Sequence, residues 1–192
     1  MIFHPEERHM KKVNTWMLAE AGITLAMAWV LSQIKVFAMP MGGSITAGSM
    51  VPLLIFAYRW GGKKGILVCA LYGVLDFVMG AKYSFHPISL IFDYPVAFGF
   101  MGVAGFFGKK TVGLVVGTVA ALAGRFACHV LSGVVVFAEY APAGESPLLY
   151  SILYNGSYLL PELGISFVLV FLLLRYARLP EPRLDKDRPS RV

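Results

Sequence analysis

Along the chain, apolar runs longer than a soluble helix or strand requires alternate with short polar or basic breaks. Six runs stand out, at 16–34, 48–59, 64–81, 87–107, 111–138 and 147–175. Most approach the roughly 20 residues that carry a helix across about 30 Å of hydrocarbon. The second, SMVPLLIFAYRW, is too short for that, so it is expected either to be tilted and joined to part of the preceding loop or to be buried in protein rather than lipid. Strict apolar–polar alternation is absent, which argues against a barrel. The pattern predicts an all-α polytopic membrane protein of six transmembrane helices.

Composition agrees: 57% of positions are hydrophobic and 15% charged, far from a soluble domain of this length. A net charge of +6 would suggest a nucleic-acid partner in a soluble protein, but its distribution marks topology instead. With the N-terminus in the cytoplasm, fourteen of the 17 Lys and Arg fall inside. They are Arg8, Lys11, Lys12, Arg59, Lys63, Lys64, Lys109, Lys110, Arg175, Arg178, Arg183, Lys186, Arg188 and Arg191. Lys35 and Lys82 fall outside, and Arg125 lies within a span. Both termini are therefore expected in the cytoplasm, with the protein multi-pass in the cell membrane. The chain divides into a cytoplasmic segment at 1–15, a membrane domain at 16–176 with a ligand pocket at its outer face, and a charged, disordered cytoplasmic tail at 177–192. Span 1 follows a basic Met-Lys-Lys as a signal peptide would, but it contains Glu20 and runs too long, so it is read as retained.

The inner breaks RWGGKK and GKK are short, whereas the outer ones, KVFAMPMGGSITAG and EYAPAGESP, are longer and rich in Gly, Pro and aromatics. A ligand site and its lid are expected on the outer face, with Gly42 and Gly43 giving the first loop freedom to move.

The stretch ISLIFDYPVAFGF sets one carboxylate, Asp93, in an apolar run. A lone carboxylate in a span costs about 2.5–3.5 kcal/mol on insertion scales, so something must offset it. In span 5, Arg125, His129 and Gly133 recur at i, i+4 and i+8 on one helix face, and Phe137 continues the stripe. Span 6 brings Tyr150, Tyr154, Asn155 and Tyr158 together at a similar depth. Aromatic faces, an imidazole, a carboxamide and a carboxylate then converge below the outer surface, which suits a flat, polar, cationic ligand. Glu20, Asp76 and Glu162 are read as pairing within the membrane and holding helices together.

Catalysis finds no support. GxSxG and HExxH are absent, and GFFGKKT fails as a phosphate loop because Val103 and Lys110 stand where glycine and Ser or Thr are required. Cys69 and Cys128 have no metal-ligand spacing and are read as packing residues. No cofactor, metal or nucleic-acid partner is expected. A self-sufficient proton-coupled carrier for a small cationic solute, relaying protons through Asp76, Asp93, Arg125 and Glu162, is the alternative to a pure binding subunit.

Span 1 carries two small-residue stripes, Gly22 with Ala26 and Thr24 with Ala28 and Ser32, which permit close helix approach and suit docking of another membrane subunit.

Taken together, EAGITLAMAWVLS, YGVLDFVMGAKYSFHPISLIFDYPVAF, GRFACHVLSGVVVFAEYA and YSILYNG resemble the thiamine-specific substrate-binding subunits (S components) of energy-coupling factor vitamin transporters. The resemblance implies a six-helix protein that captures thiamine, or a close analogue, from outside. It also implies delivery through a transmembrane coupling subunit and two cytoplasmic ATPases, with docking on span 1. By position, Asp93 matches the family's acid near the thiazolium and Tyr94 its neighbouring tyrosine. His129, Tyr150 and Asn155 match residues that hold the aminopyrimidine and ring system, Phe137 matches a stacking position, and Tyr83 is a wall. The chain departs from the family in having Asp93 for Glu, Phe137 for Trp and Pro142 for an aromatic residue.

Overall fold

The computed structural model describes residues 14–40, 42–80, 82–177 and 182. The N-terminal segment before residue 14 and nearly all of the expected tail lie outside the described residues.

Helix α1, Thr15–Gln33, begins where the Asn14 side chain accepts the Met17 N–H at 3.1 Å, which satisfies one of the donors that a helix start leaves open. Two short strands follow, β1 at Lys35–Ala38 and β2 at Ser44–Thr46. They pair antiparallel, Phe37 opposite Ile45 and Ala38 opposite Ser44. This hairpin corrects the all-α expectation. Its strands are too short to show an alternation, and Gly42 and Gly43, at φ of 92° and 88°, make the turn that L side chains rarely allow.

Helix α2, Met50–Trp60, is only 11 residues long, and nine of them are buried. The short span is thus protein-embedded, the second of the two expectations for it. After a turn at Gly61 (φ 85°), α3 runs over Gly62–Met79. Helix α4, Pro87–Phe106, changes pitch along its length: an α turn, a π segment at Phe92–Val96, a second α turn and a 3-10 end. Helices α5, Thr111–Val136, and α6, Pro147–Tyr176, complete the fold. The six apolar runs therefore become six helical segments among the described residues. Of these α1, α4, α5 and α6 are long and apolar enough to cross a membrane.

At the end of the molecule that carries Arg59, Lys63 and Lys109, glycines set the packing. A Cβ on Gly102 would lie 2.0 Å from the Ile66 nitrogen, and one on Gly105 would lie 2.3 Å from the Ala57 oxygen. Helices α2, α3 and α4 meet backbone to backbone there, as small residues permit in membrane bundles. Tyr58 adds a polar tie to α5, donating to the Leu114 carbonyl at 2.9 Å. Glu20 pairs with Arg59 through two contacts, at 2.5 and 3.2 Å, so the helix-holding role expected of Glu20 is what the structure gives it.

The stripes on α1 separate. Thr24 and Ala28 are buried, the Ala28 carbonyl accepts from Tyr72 Oη at 3.3 Å, and Ser32 lines the cavity described below. That stripe packs internally, which corrects its reading as a docking face. Gly22 and Ala26 are exposed, and a Cβ added to Gly22 would meet nothing within 4 Å. Cys69 and Cys128 are free and buried.

Candidate functional site

At the hairpin end the same helices diverge around a cavity of about 420 Å³. Helix α3 and the π segment of α4 touch at Gly73, where a Cβ would fall 2.4 Å from the Tyr94 carbonyl oxygen, and beyond that point they separate. Pro95 sits inside the π segment. It has no N–H to give, and the wider turn absorbs the break. Asp93 and Tyr94 immediately precede it and face the cavity.

The Asp93 carboxylate is held by protein donors. Ser89 Oγ and Ser132 Oγ each donate to Oδ2 at 2.6 Å, and His129 Nδ1 lies 2.9 Å from Oδ1. Local hydrogen bonds, rather than a ligand alone, therefore offset the charge that the sequence places in the membrane. With Nδ1–H donating to Asp93, His129 presents Nε2 as an acceptor. That atom is buried and has no partner.

Asn155 is an organising residue. Its Nδ2 donates to the Ser151 carbonyl at 2.9 Å, and its Oδ1 accepts from Tyr158 Oη at 2.7 Å. Its Nδ2 also reaches across to the His129 carbonyl of α5 at 3.4 Å, and the two helices approach over Gly133, where a Cβ would lie 2.1 Å from Ser151 Oγ. Aromatic walls complete the space. Tyr150 and Tyr154 have centroids 5.9 Å apart, Phe137 and Tyr140 6.1 Å, and Phe77 supports Tyr94 edge-on at 5.2 Å. Tyr83 packs beneath Gly42, 2.8 Å from where a Cβ would be.

The hairpin is the cavity's roof. Glu162, fully buried, accepts the Thr46 N–H at 2.7 Å and the Thr46 hydroxyl at 2.6 Å. Tyr154 Oη donates to the Gly42 carbonyl at 3.0 Å. Glu162 thus ties α6 to β2 rather than to another charge.

All seven sequence-predicted ligand residues, Tyr83, Asp93, Tyr94, His129, Phe137, Tyr150 and Asn155, line this one cavity. Sequence reasoning missed Trp29, Lys35 and Phe98 as lining residues, and it assigned Asp76 and Glu162 to helix pairing. A signal existed for two groups: Trp29, Ser32 and Gln33 on α1, and Tyr72, Asp76 and Met79 on α3, each recur at helical spacing on one face. Arg125 lies on the floor, its guanidinium 3.9 Å from the Phe98 ring centroid. Among the described residues there is no cluster of metal-ligating side chains.

This arrangement has known counterparts. The thiamine transporter protein family model (Thia_YuaJ) matches residues 18–180. The chain is 35% identical to the thiamine transporter ThiT of Bacillus subtilis, over 88% of this chain and 94% of that protein. It is 27% identical to ThiT of Lacticaseibacillus paracasei, over 73% and 77%. The solved structure of ThiT from Listeria monocytogenes superposes with a TM-score of 0.72 at 28% identity, covering 83% of this chain and 93% of that one. A match over most of the chain, with apolar helices and the cavity in one fold, places it among multi-pass membrane proteins of the bacterial cell membrane with a transport rather than an enzymatic role, and the chain belongs to the thiamine transporter protein family.

Proposed function

We propose that this chain is the substrate-binding subunit of an energy-coupling factor vitamin importer, capturing thiamine at the outer face of the membrane. The observation that carries the reading is the convergence of aromatic walls with the Asp93–His129 pair in one cavity under the hairpin. The free Nε2 of His129 accepts from the exocyclic amine of the aminopyrimidine, whose ring stacks on Phe137. Asp93 retains acceptor capacity beyond its three bonds, since a carboxylate offers about four lone-pair sites, and it adds negative potential to the wall. Tyr94, Tyr150 and Tyr83 enclose the rings, and Asn155 keeps His129 and Tyr158 in place.

In this reading the chain crosses the membrane six times, with both termini in the cytoplasm. Release inward depends on a coupling transmembrane subunit and two ATPases, because the sequence carries no nucleotide-binding loop. The exposed Gly22–Ala26 face of α1 is where the coupling subunit docks.

The test is ligand binding by purified protein. Trp29 lines the cavity, so thiamine is expected to quench tryptophan fluorescence with nanomolar affinity. Asp93→Asn is expected to abolish tight binding by freeing His129. Saturable binding that is absent at micromolar thiamine would overturn the reading.

A further inference from the structure

On α4 the residues that line the cavity are Ser89, Asp93, Tyr94 and Phe98, at spacings that a regular helix does not bring to one side. At about 100° per residue, positions four apart nearly coincide, but the step from 93 to 98 turns a side chain by about 140°. Ser89 with Asp93, and Tyr94 with Phe98, would then form two stripes on well-separated faces. The π segment at Phe92–Val96 closes its turn on the fifth residue instead, which brings positions i and i+5 toward one another. The stripes swing together, and both reach the cavity. Resting on the thiamine reading, we propose that Pro95 is a positioning residue for this site: it bars the regular α turn, keeps a surplus residue of α4 within the π segment, and so holds Asp93 on His129 while Tyr94 and Phe98 line the same space.

Three observations carry this. Pro95 lies inside the segment, where it offers no N–H to the Ile91 carbonyl and its ring crowds that oxygen, so the α turn is disfavoured. The turn is also pressed onto α3. A Cβ on Gly73 would lie 2.4 Å from the Tyr94 carbonyl oxygen and 2.8 Å from Pro95 Cα, and further along α4 one on Gly102 would lie 2.0 Å from the Ile66 nitrogen. With the downstream half held in this way, tightening to an α turn rotates the upstream stripe by about one residue, roughly 100°, and carries Asp93 off His129. Finally, the two stripes have separate partners. Asp93 is bonded to Ser132 and His129 of α5, whereas Tyr94 meets Phe77 of α3 at 5.2 Å and Phe98 meets Tyr72 of α3 at 4.8 Å. The surplus residue lets both sets hold at once.

Replacing Pro95 by a residue with an N–H opens the α turn. Thiamine then selects the π form, and the apparent affinity falls by the fraction of protein left competent. Because the restored N–H gains a partner in the α form, the ligand-free protein is expected to melt at the same temperature or higher.

The experiment uses the full chain, with Pro95→Ala and Pro95→Ser as variants, and reads thiamine affinity, melting temperature and the nitrogen NMR signals of labelled histidine. The His129 signals are assigned by their loss in His129→Gln. Wild type is expected to show one Nδ1–H form with or without thiamine. Pro95→Ala is expected to bind thiamine about tenfold more weakly or worse, as a competent fraction of about one in ten gives. Its His129 signals should split or shift in the empty protein and return to the wild-type positions at saturating thiamine. Pro95→Ser should behave alike. Unaltered His129 signals overturn the proposal whatever the affinity, and altered signals with unchanged affinity overturn it too. Failure of both variants to fold also overturns it, because Pro95 would then serve the fold rather than the site. Wild-type protein that binds no thiamine overturns the proposed function itself, while the histidine signals of the empty protein still test Pro95, so the two failures are distinguishable.

Discussion

The two ends of the α3–α4 pair use opposite solutions to membrane packing. At the basic end, Gly65, Gly102 and Gly105 remove side chains from the contact, and backbones fill the space. At the hairpin end, beyond Gly73, Asp76 and Met79 of α3 and Ser89 and Asp93 of α4 line a cavity instead. Apolar burial supplies little drive between helices in lipid, so close packing and hydrogen bonds decide where helices meet and where they part. Close backbone packing at one end lets the other end keep an opening without collapsing.

The largest effect is expected from breaking the closed end. Gly102→Leu puts a side chain into the Ile66 backbone, where even a Cβ has 2.0 Å. Overpacking against backbone that cannot move should cost about 3 kcal/mol or more, read as a collapse in folded yield and melting temperature in detergent. Normal stability would show that the two ends are less different than their contacts suggest.

Next comes the roof. Glu162→Ala leaves the buried Thr46 N–H unsatisfied, at a cost of about 1–3 kcal/mol. Faster thiamine dissociation, with the association rate little changed, is the expected signature in stopped-flow fluorescence.

Within the cavity, Phe137→Trp enlarges the stacking face. A tighter complex by about 0.5–1 kcal/mol is expected for a cationic ring, from the stronger π surface, measured by calorimetry. Weaker binding would mean that Phe137 packs on Tyr140 and not on the ligand.

The smallest effect on the isolated chain is expected from Gly22→Leu, since nothing lies within 4 Å of an added Cβ. Melting and thiamine affinity should be unchanged, while uptake by the reconstituted complex falls. Unimpaired uptake would remove the docking role from this face.

Much of the site was legible because it sits on regular helices. Arg125, His129, Gly133 and Phe137 recur at helical spacing and do line one cavity, and Asp93 announced itself as a charge in an apolar run. The faces of α1 were not legible: apolar side chains meet lipid on one side and protein on the other, so no polarity contrast marks the inward stripe. Thr24 and Ala28 turned out internal, and Gly22 external. The hairpin was missed because four and three residues carry no period.

By itself, then, the sequence determined the membrane class, the helical segments, their charge asymmetry and part of the set of groups that reach one pocket, since all of these follow from local composition and helical period. Only the tertiary structure decided that Asp93 and Glu162 are held by hydrogen bonds, and that one end closes on glycine while the other opens. Those outcomes depend on which atoms from distant segments come within about 3 Å of each other, a distance that no spacing along a single chain specifies.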